Sequence, residues 1–153
     1  GTFDVMENNA EDTANSYLVG VAGRVIIGRA YITGGGWVGT NPGMLIDTYV
    51  SPTLNGVANW DGTRITDNDG YGGHFSLGYA INKMLKMEGG YGYVKTELDS
   101  GTATKNDAEA YYLQATITMA PGVMVVPEIG TIDYKQKGEL KVDYIGMKWQ
   151  IDF

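Results

Sequence analysis

Apolar and polar side chains alternate along much of the chain with a period of two residues. The alternation is clearest near the C-terminus, where Lys148, Gln150 and Asp152 separate larger apolar residues. The apolar positions are Ile145, Met147, Trp149, Ile151 and Phe153. Successive side chains of a β-strand point to opposite faces, so this pattern predicts a strand with one apolar and one polar face.

Six further segments predict strands of the same kind. Four of them alternate clearly, at about 71–81, 85–93, 109–119 and 123–129, and two less regular segments lie at about 15–27 and 31–40. The predicted connections alternate in length, with short ones at 28–29, 81–83 and 120–122 and long polar ones at about 41–70, 98–107 and 135–139. Short turns at one end and long loops at the other are typical of outer-membrane β-barrels.

The composition favours strands and turns over helices. The chain has 23 glycines and 11 tyrosines but only 3 phenylalanines. An interior glycine destabilises a helix by roughly 1 kcal/mol relative to alanine, and glycines cluster at 34–36 and at 89–92. We therefore expect an all-β protein whose residues 1–153 form a single β-barrel segment.

Charge and cysteine content exclude several classes of function. The net charge of −7 argues against nucleic-acid binding, because affinity for phosphates comes from clustered lysines and arginines. The absence of cysteine removes disulfides, thiolate metal sites and thiol nucleophiles. Asp67, Asn68, Asp69 and Gly70 resemble the start of a calcium loop, but its downstream bidentate glutamate is missing. We expect no cofactor and no metal.

The C-terminal strand resembles the assembly signal of bacterial outer-membrane proteins, in which a glycine precedes alternating hydrophobic positions and the last residue is aromatic. The corresponding residues are Gly146, Trp149, Ile151 and Phe153. The resemblance implies a location in the bacterial outer membrane, contact with outer-membrane lipid and insertion by the barrel assembly machinery.

The wider stretch from residue 16 to 153 resembles the C-terminal part of the general porins. The similarity lies in Gly-Tyr-Gly-Tyr at 90–93, Ala-Pro-Gly at 120–122 and Val-Pro-Glu-Ile-Gly at 126–130. It implies an antiparallel up-and-down transmembrane β-barrel that acts as a channel for passive diffusion of ions and small hydrophilic solutes. A homotrimer is compatible with the resemblance.

The predicted number of strands is odd. A complete barrel of this class has an even number of strands and both chain ends in the periplasm. We therefore predict that about seven strands in residues 16–153 belong to a larger barrel with an N-terminal remainder, and that residues 1–15 are the remainder of an extracellular loop. Two alternatives stay open. Thr2–Met6 or Met44–Val50 could supply an eighth strand and close a small barrel with an adhesin or structural role, or the chain could be a soluble β-sandwich or barrel.

In a membrane barrel, lipid contacts the apolar face of each strand and the lumen contacts the polar face. The predicted pore-lining residues are the larger charged and polar side chains of that second face: Arg24, His74, Lys86, Glu88, Gln114, Glu128 and Lys148. Positive and negative charges nearly balance in this set, so it predicts a wetted pore, and the ion selectivity does not follow from it.

One pair of residues in the sequence could suggest catalysis. His74 and Ser76 are two residues apart and therefore share a strand face. A catalytic histidine also needs an orienting partner and the site needs an oxyanion hole, and no feature of the sequence identifies either. We predict that the chain is not an enzyme and has no catalytic residues.

Overall fold

The computed structural model consists almost entirely of antiparallel β-strands. It describes residues 2–7, 10–45, 56–60, 64–99, 105–135 and 141–152. The one helix of this part is a short 3-10 helix at Pro42–Met44. Throughout the described ranges, no helix has the length and apolar character needed to cross a membrane.

Seven strands form a continuous sheet, and two small hairpins accompany it. In chain order the strands are β1 (Thr2–Glu7), β2 (Ala10–Asn15), β3 (Tyr17–Ile27), β4 (Ala30–Thr40), β5 (Asn59–Trp60), β6 (Ile65–Thr66), β7 (Asn68–Ala80), β8 (Leu85–Leu98), β9 (Lys105–Ala120), β10 (Val123–Tyr134) and β11 (Lys141–Ile151). The sheet has the order β11-β10-β9-β8-β7-β4-β3. This is the predicted all-β, up-and-down arrangement of about seven strands.

The three short connections lie at one end of the sheet. Gly28, with φ +62°, and Gly122, with φ +76°, supply the left-handed backbone that the β3–β4 and β9–β10 turns require. In the β7–β8 turn, the Asn82 side-chain oxygen accepts the backbone N–H groups of Met84 and Leu85 at 2.8 and 2.9 Å. The longer connections join the strands at the opposite end, which confirms the predicted alternation of lengths.

Several strands extend further toward the long connections than the sequence predicts. β7 begins at Asn68 instead of about residue 71, and β8 continues to Leu98 instead of about residue 93. The apolar alternation ends earlier, but backbone pairing continues, for example between Lys95 and Asp107. The predicted long loop at 41–70 is accordingly shorter, and it contains the β5–β6 hairpin.

The segment predicted to be an extracellular loop remainder, residues 1–15, forms a β-hairpin where the structure describes it. β1 and β2 pair antiparallel from Thr2 with Asn15 to Glu7 with Ala10. The sequence offered Thr2–Met6 as a possible barrel strand, but nothing in the pattern indicated its pairing with Ala10–Asn15. Their predicted position outside the membrane stays a prediction.

The alternative of a closed eight-strand barrel does not match the described residues. β1 pairs with β2 and not with either edge strand of the sheet, and residues 46–50 of the second candidate segment lie outside the described residues. Within the described ranges, no strand joins β3 to β11. The sheet therefore has two open edges.

Asn41 connects the N-terminal hairpin to the sheet. It is fully buried, with 0% exposure, and has a left-handed backbone with φ 49°, which asparagine tolerates better than most residues. Its side-chain nitrogen donates to the Asn15 carbonyl and to Asp67 Oδ1, both at 2.8 Å, and its side-chain oxygen accepts the Asn68 N–H at 2.9 Å. One side chain thus joins β2, the long connection and β7.

One face of the sheet, the apolar face, presents large hydrophobic side chains that no protein layer covers. Exposed fractions reach 85% for Ile145 and 79% for Val21. Other exposed members are Val19, Val25, Ile27, Ile32, Phe75, Leu77, Leu113, Ile129, Met147, Trp149 and Ile151. A soluble sandwich would bury such residues against a second sheet, whereas the described strands form a single layer. A lipid environment accounts for this face.

On the opposite face, aromatic rings lie across glycines of neighbouring strands. Tyr31 covers Gly78, and Trp37 covers Gly72, where a Cβ atom would come within 2.8 Å of the indole. Tyr112 likewise covers Gly90, and Tyr144 covers Gly130. Each ring and its glycine are direct cross-strand partners. The glycines therefore provide the space in which the rings lie flat on the sheet.

We predict that Gly78→Ala destabilises the protein by about 1–3 kcal/mol, because the added methyl group would overlap the Tyr31 ring. The matched control is Gly23→Ala, where a Cβ atom would meet nothing within 4 Å. The measurement is urea unfolding of the folded protein in detergent. Equal stability of the two variants would contradict the proposed role of Gly78.

Candidate pore-lining face

The strand register brings all seven predicted pore-lining residues to one face, termed the polar face. Glu88 pairs with Gln114, and Gln114 pairs with Glu128, so these three form one row across β8, β9 and β10. Four further residues lie on the same face, because the strand pairing places each of them an even number of residues along its strand from this row. They are Arg24, His74, Lys86 and Lys148. Their role in lining a pore stays a prediction.

Glu88 is the centre of a hydrogen-bond network on the polar face. One carboxylate oxygen accepts the Tyr31 hydroxyl at 2.7 Å. The other accepts the Tyr112 hydroxyl at 2.7 Å and the Gln114 side-chain amide at 2.8 Å. Hydrogen bonds to an ionised acceptor are stronger than those between neutral groups. The network therefore fixes three side chains around one carboxylate.

Arg24 extends this network to β3. Its guanidinium carbon lies 3.9 Å from the centre of the Tyr31 ring, within the range of a cation–π contact. Tyr31 reaches Glu88 across β7, because Gly78 has no side chain to obstruct it. The network therefore links side chains of β3, β4, β8 and β9, and it crosses β7 on the polar face of the sheet.

A second carboxylate on the same row has a similar arrangement. Glu128 accepts the Tyr144 hydroxyl at 2.7 Å, and the Tyr144 ring lies over Gly130. Sequence reasoning identified both glutamates but missed their tyrosine partners. The signal was present, since Tyr31, Tyr112 and Tyr144 fall on polar-face positions where apolar alternation does not require an aromatic residue.

Lys86 and Lys148 lie nearer the end with the short turns, and both are exposed. Each is two residues from the row that contains Glu88 and Glu128. The two carboxylates accept hydrogen bonds from neighbouring side chains, whereas the two lysines are exposed.

His74 and Ser76 share the polar face, as their spacing predicts. The His74 ring leans over β4, where a Cβ on Gly35 would lie 2.9 Å from its Cε1 atom. Ser76 is buried and hydrogen-bonds the Tyr112 hydroxyl, on the side of β8 and β9. The two side chains are therefore directed to different neighbours.

The acidic segment at 67–69 is divided between different partners. Asp67 accepts a hydrogen bond from Asn41, and Asp69 Oδ1 accepts the Thr40 hydroxyl at 2.6 Å. In the described part of the chain, no group of three histidine, cysteine, aspartate or glutamate side chains could hold a metal ion.

A row of charged residues continues the apolar face toward the long connections. Lys135 lies 2.7 Å from Asp133 and 3.4 Å from Glu109, and Lys95 lies 3.8 Å from Asp107. The hydrogen bond from Lys135 to Asp133 raises the pKa of this lysine above its usual value. Sequence reasoning missed this row, although charges recur there at every second position. It marks the end of the apolar zone.

Tyrosines lie directly next to the charged row. Tyr71 and Tyr93 make an edge-to-face contact with ring centres 6.1 Å apart, and Tyr91 lies 6.3 Å from Tyr93. Aromatic side chains with one polar atom are typical of the boundary between a membrane and water.

The residues of the predicted assembly signal divide between the two faces of β11. Trp149 and Ile151 are exposed on the apolar face, with exposures of 66% and 58%. Gly146 lies on the polar face opposite Glu128. Phe153 lies outside the described residues. A part in assembly stays a prediction.

Comparison with known proteins finds the fold but no family. No family model matches the sequence, and no curated protein matches it significantly. Three solved structures of OmpT, an outer membrane protein of Vibrio cholerae, match nearly the whole chain. A loop L8 deletion mutant has a TM-score of 0.65 at 17% identity, the outer-membrane expressed form 0.59 at 20%, and an in-vitro folded form described as a trimer 0.63 at 18%.

The matches cover 97–98% of this chain but only 43–47% of those proteins. The chain therefore spans less than half the length of the solved structures that it resembles. At this level of identity the likeness shows the fold, which is that of outer-membrane β-barrel proteins. It supports the predicted location in the bacterial outer membrane, in agreement with the uncovered apolar face.

These neighbours correct the prediction that the chain is not an enzyme. A likeness at 17–20% identity shows the fold alone and gives no ground for excluding an enzymatic activity. The three matched proteins are themselves described as outer membrane proteins, and their low identity carries no catalytic residue over to this chain. The sequence-based exclusion of catalysis is therefore withdrawn.

We predict that Glu88→Ala destabilises the protein by about 1–3 kcal/mol, because two tyrosine hydroxyls and one amide lose a charged acceptor. The matched control is Lys86→Ala, an exposed position on the same strand and face, where a change below about 0.5 kcal/mol is expected. Thermal unfolding in detergent compares the two. A Glu88 variant as stable as the control would show that the network contributes nothing.

Proposed function

We propose that the chain forms part of the wall of an outer-membrane channel for passive diffusion of ions and small hydrophilic solutes, of the general porin type. The observation that carries the proposal is the single-layer sheet with an uncovered apolar face on one side and a polar, charged face on the other. In a barrel, the first contacts lipid and the second contacts a water-filled lumen.

The open edges of the sheet support a larger barrel. β3 and β11 are its outermost strands, and an unpaired strand edge in lipid leaves backbone N–H and C=O groups without partners. Further strands must therefore pair with these edges, and the greater length of the matched proteins supports this view. The proposed partner is the N-terminal remainder of the same barrel.

The apolar face suggests how the barrel is held in the membrane. The tyrosines and the charged row near Lys135 fit the boundary with lipid headgroups, and the aliphatic side chains fit the hydrocarbon region. Insertion by the barrel assembly machinery through Gly146, Trp149, Ile151 and Phe153 rests on the sequence resemblance. A homotrimer is supported by the trimer form described for one matched protein.

The polar face would act as a hydrated wall. Glu88 and Glu128 are held against it by tyrosine hydroxyls, so their side chains do not extend into the passage. The exposed ammonium groups of Lys86 and Lys148 would extend into the water near the short turns. Solutes then pass through the lumen while polar groups of the wall replace part of their hydration shell. The positive charges of the two lysines favour anions near that end.

The direct experiment is reconstitution of the purified native protein into planar lipid bilayers and into liposomes. We expect stepwise ionic conductance, and swelling of liposomes in solutions of small neutral sugars. A protein that inserts into the bilayer but passes no current would instead support a plugged adhesin or structural barrel.

We predict that the double substitution Lys86→Glu and Lys148→Glu shifts the reversal potential in a salt gradient toward cation preference. Each unit charge within about 4 Å of an ion contributes about 1 kcal/mol even in water, which alters ion preference several-fold. The control is Lys95→Glu on the opposite face of the sheet, which should leave selectivity unchanged. An equal shift in both variants would contradict the assignment of the two faces.

A further inference from the structure

We propose that the polar face holds a binding subsite for a solute with a single aromatic ring, on the half nearer the long connections. This inference rests on the proposed channel function, because it places the ligand in the lumen. It goes beyond diffusion, since a solute that binds there would be retained or enriched relative to others of the same size.

The subsite is a recess of about 370 Å³ between two aromatic side chains. Trp37 on β4 and Tyr134 on β10 stand at its two sides. The register connects them through one continuous row of residues, which runs from Trp37 through Gly72, Val94 and Ala108 to Tyr134. The two aromatic residues are therefore level with each other on the sheet.

Small side chains create the depth of the recess. Its floor contains Gly92 on β8 and Ala108 and Ala110 on β9, and Ala110 pairs directly with Gly92. Because the Trp37 indole lies over Gly72 on β7, the open floor between the two aromatic groups covers β8 and β9. Neighbouring strands are about 4.8 Å apart, so this floor is about 10 Å wide, which suits one ring.

The chemistry of the lining favours an aromatic ring over a sugar. Val94, Ala108 and Ile132 add aliphatic surface, and the polar side chains of the lining on this face are His74 and Tyr134. Tyr93 and Glu109 also line the recess, but they are cross-strand partners at positions of the apolar face. A sugar would bury several hydroxyl groups that this lining cannot satisfy, and each unsatisfied group opposes binding. An aromatic ring with one polar atom can contact the indole or phenol and use a single hydrogen bond.

Packing alone accounts for only part of this arrangement. The contact of Trp37 with Gly72 stabilises the sheet in the same way as the tyrosine–glycine pairs. It gives no reason for a second aromatic residue across the recess or for three small residues between them. A solute-sized space with aromatic sides accounts for both features.

The test uses the purified native protein and indole as the probe. Single-channel recordings measure indole-induced block of the current, and saturation-transfer NMR in detergent measures binding independently of conductance. We expect reversible block by indole and weaker or absent block by glucose. Trp37→Ala should weaken indole binding about tenfold, and Trp37→Phe, which keeps an aromatic ring, should retain most of it.

Filling the recess provides a second variant. Ala110→Leu should weaken indole binding about tenfold or more, because the added side chain occupies the floor. The matched control is Ala115→Leu on the same strand, whose side chain belongs to the apolar face and should leave binding and conductance unchanged. Neither substitution removes a backbone donor or acceptor, so we expect both variants to keep the strand pairing.

The outcomes separate the subsite from the channel. Conductance without indole binding would overturn the subsite and leave the channel intact, whereas indole binding without conductance would support the subsite and overturn the channel. Binding that survives Ala110→Leu would place the ligand elsewhere and overturn the inference. Preferential binding of glucose would overturn the aromatic class of ligand.

Discussion

Antiparallel pairing of each strand with its neighbours is the constraint on which the rest of this structure depends. Residues paired across β3 to β11 share one face, so the register determines which side chains meet lipid and which meet water. The same pairing satisfies the backbone hydrogen bonds of the inner strands, as a membrane requires. The open edges of β3 and β11 are where this requirement is not met by the described strands. The proposal that additional strands complete the barrel rests on that same constraint.

On the polar face, glycines make room for aromatic side chains of the neighbouring strands. A glycine opposite Tyr31, Trp37, Tyr112 or Tyr144 lets the ring lie across the neighbouring strand. The tyrosine hydroxyls then reach Glu88 and Glu128, and Arg24 adds a cation–π contact above Tyr31. Rings that lie flat leave space above the sheet while they hold the carboxylates in place. Part of the high glycine and tyrosine content therefore reflects one structural device that is repeated on several strands.

The sequence predicted the features that depend on the two-residue period. The number of strands in the sheet, the short turns and the common face of residues such as Arg24 and Lys148 all follow from alternation and turn chemistry. Features that depend on pairing beyond the apolar zone were missed, including the extension of β8 to Leu98 and the β1–β2 hairpin. The hydrogen-bond network around Glu88 was missed because its members come from strands that are far apart in sequence, as Tyr31 does. The exclusion of catalysis failed for another reason, since the lack of a recognised motif around His74 is weak evidence.

The assignment of the two faces can be tested on a single strand, because the chain contains no cysteine. Single substitutions Gln114→Cys and Thr116→Cys place thiols on the polar face of β9, and Leu113→Cys and Ala115→Cys place them on the apolar face. The decisive measurement is the change in single-channel conductance when a charged, membrane-impermeant thiol reagent is added to each variant. We expect a fall in conductance at 114 and 116 and no change at 113 and 115. Modification at 113 and 115 instead, or equally at all four positions, would contradict the assignment.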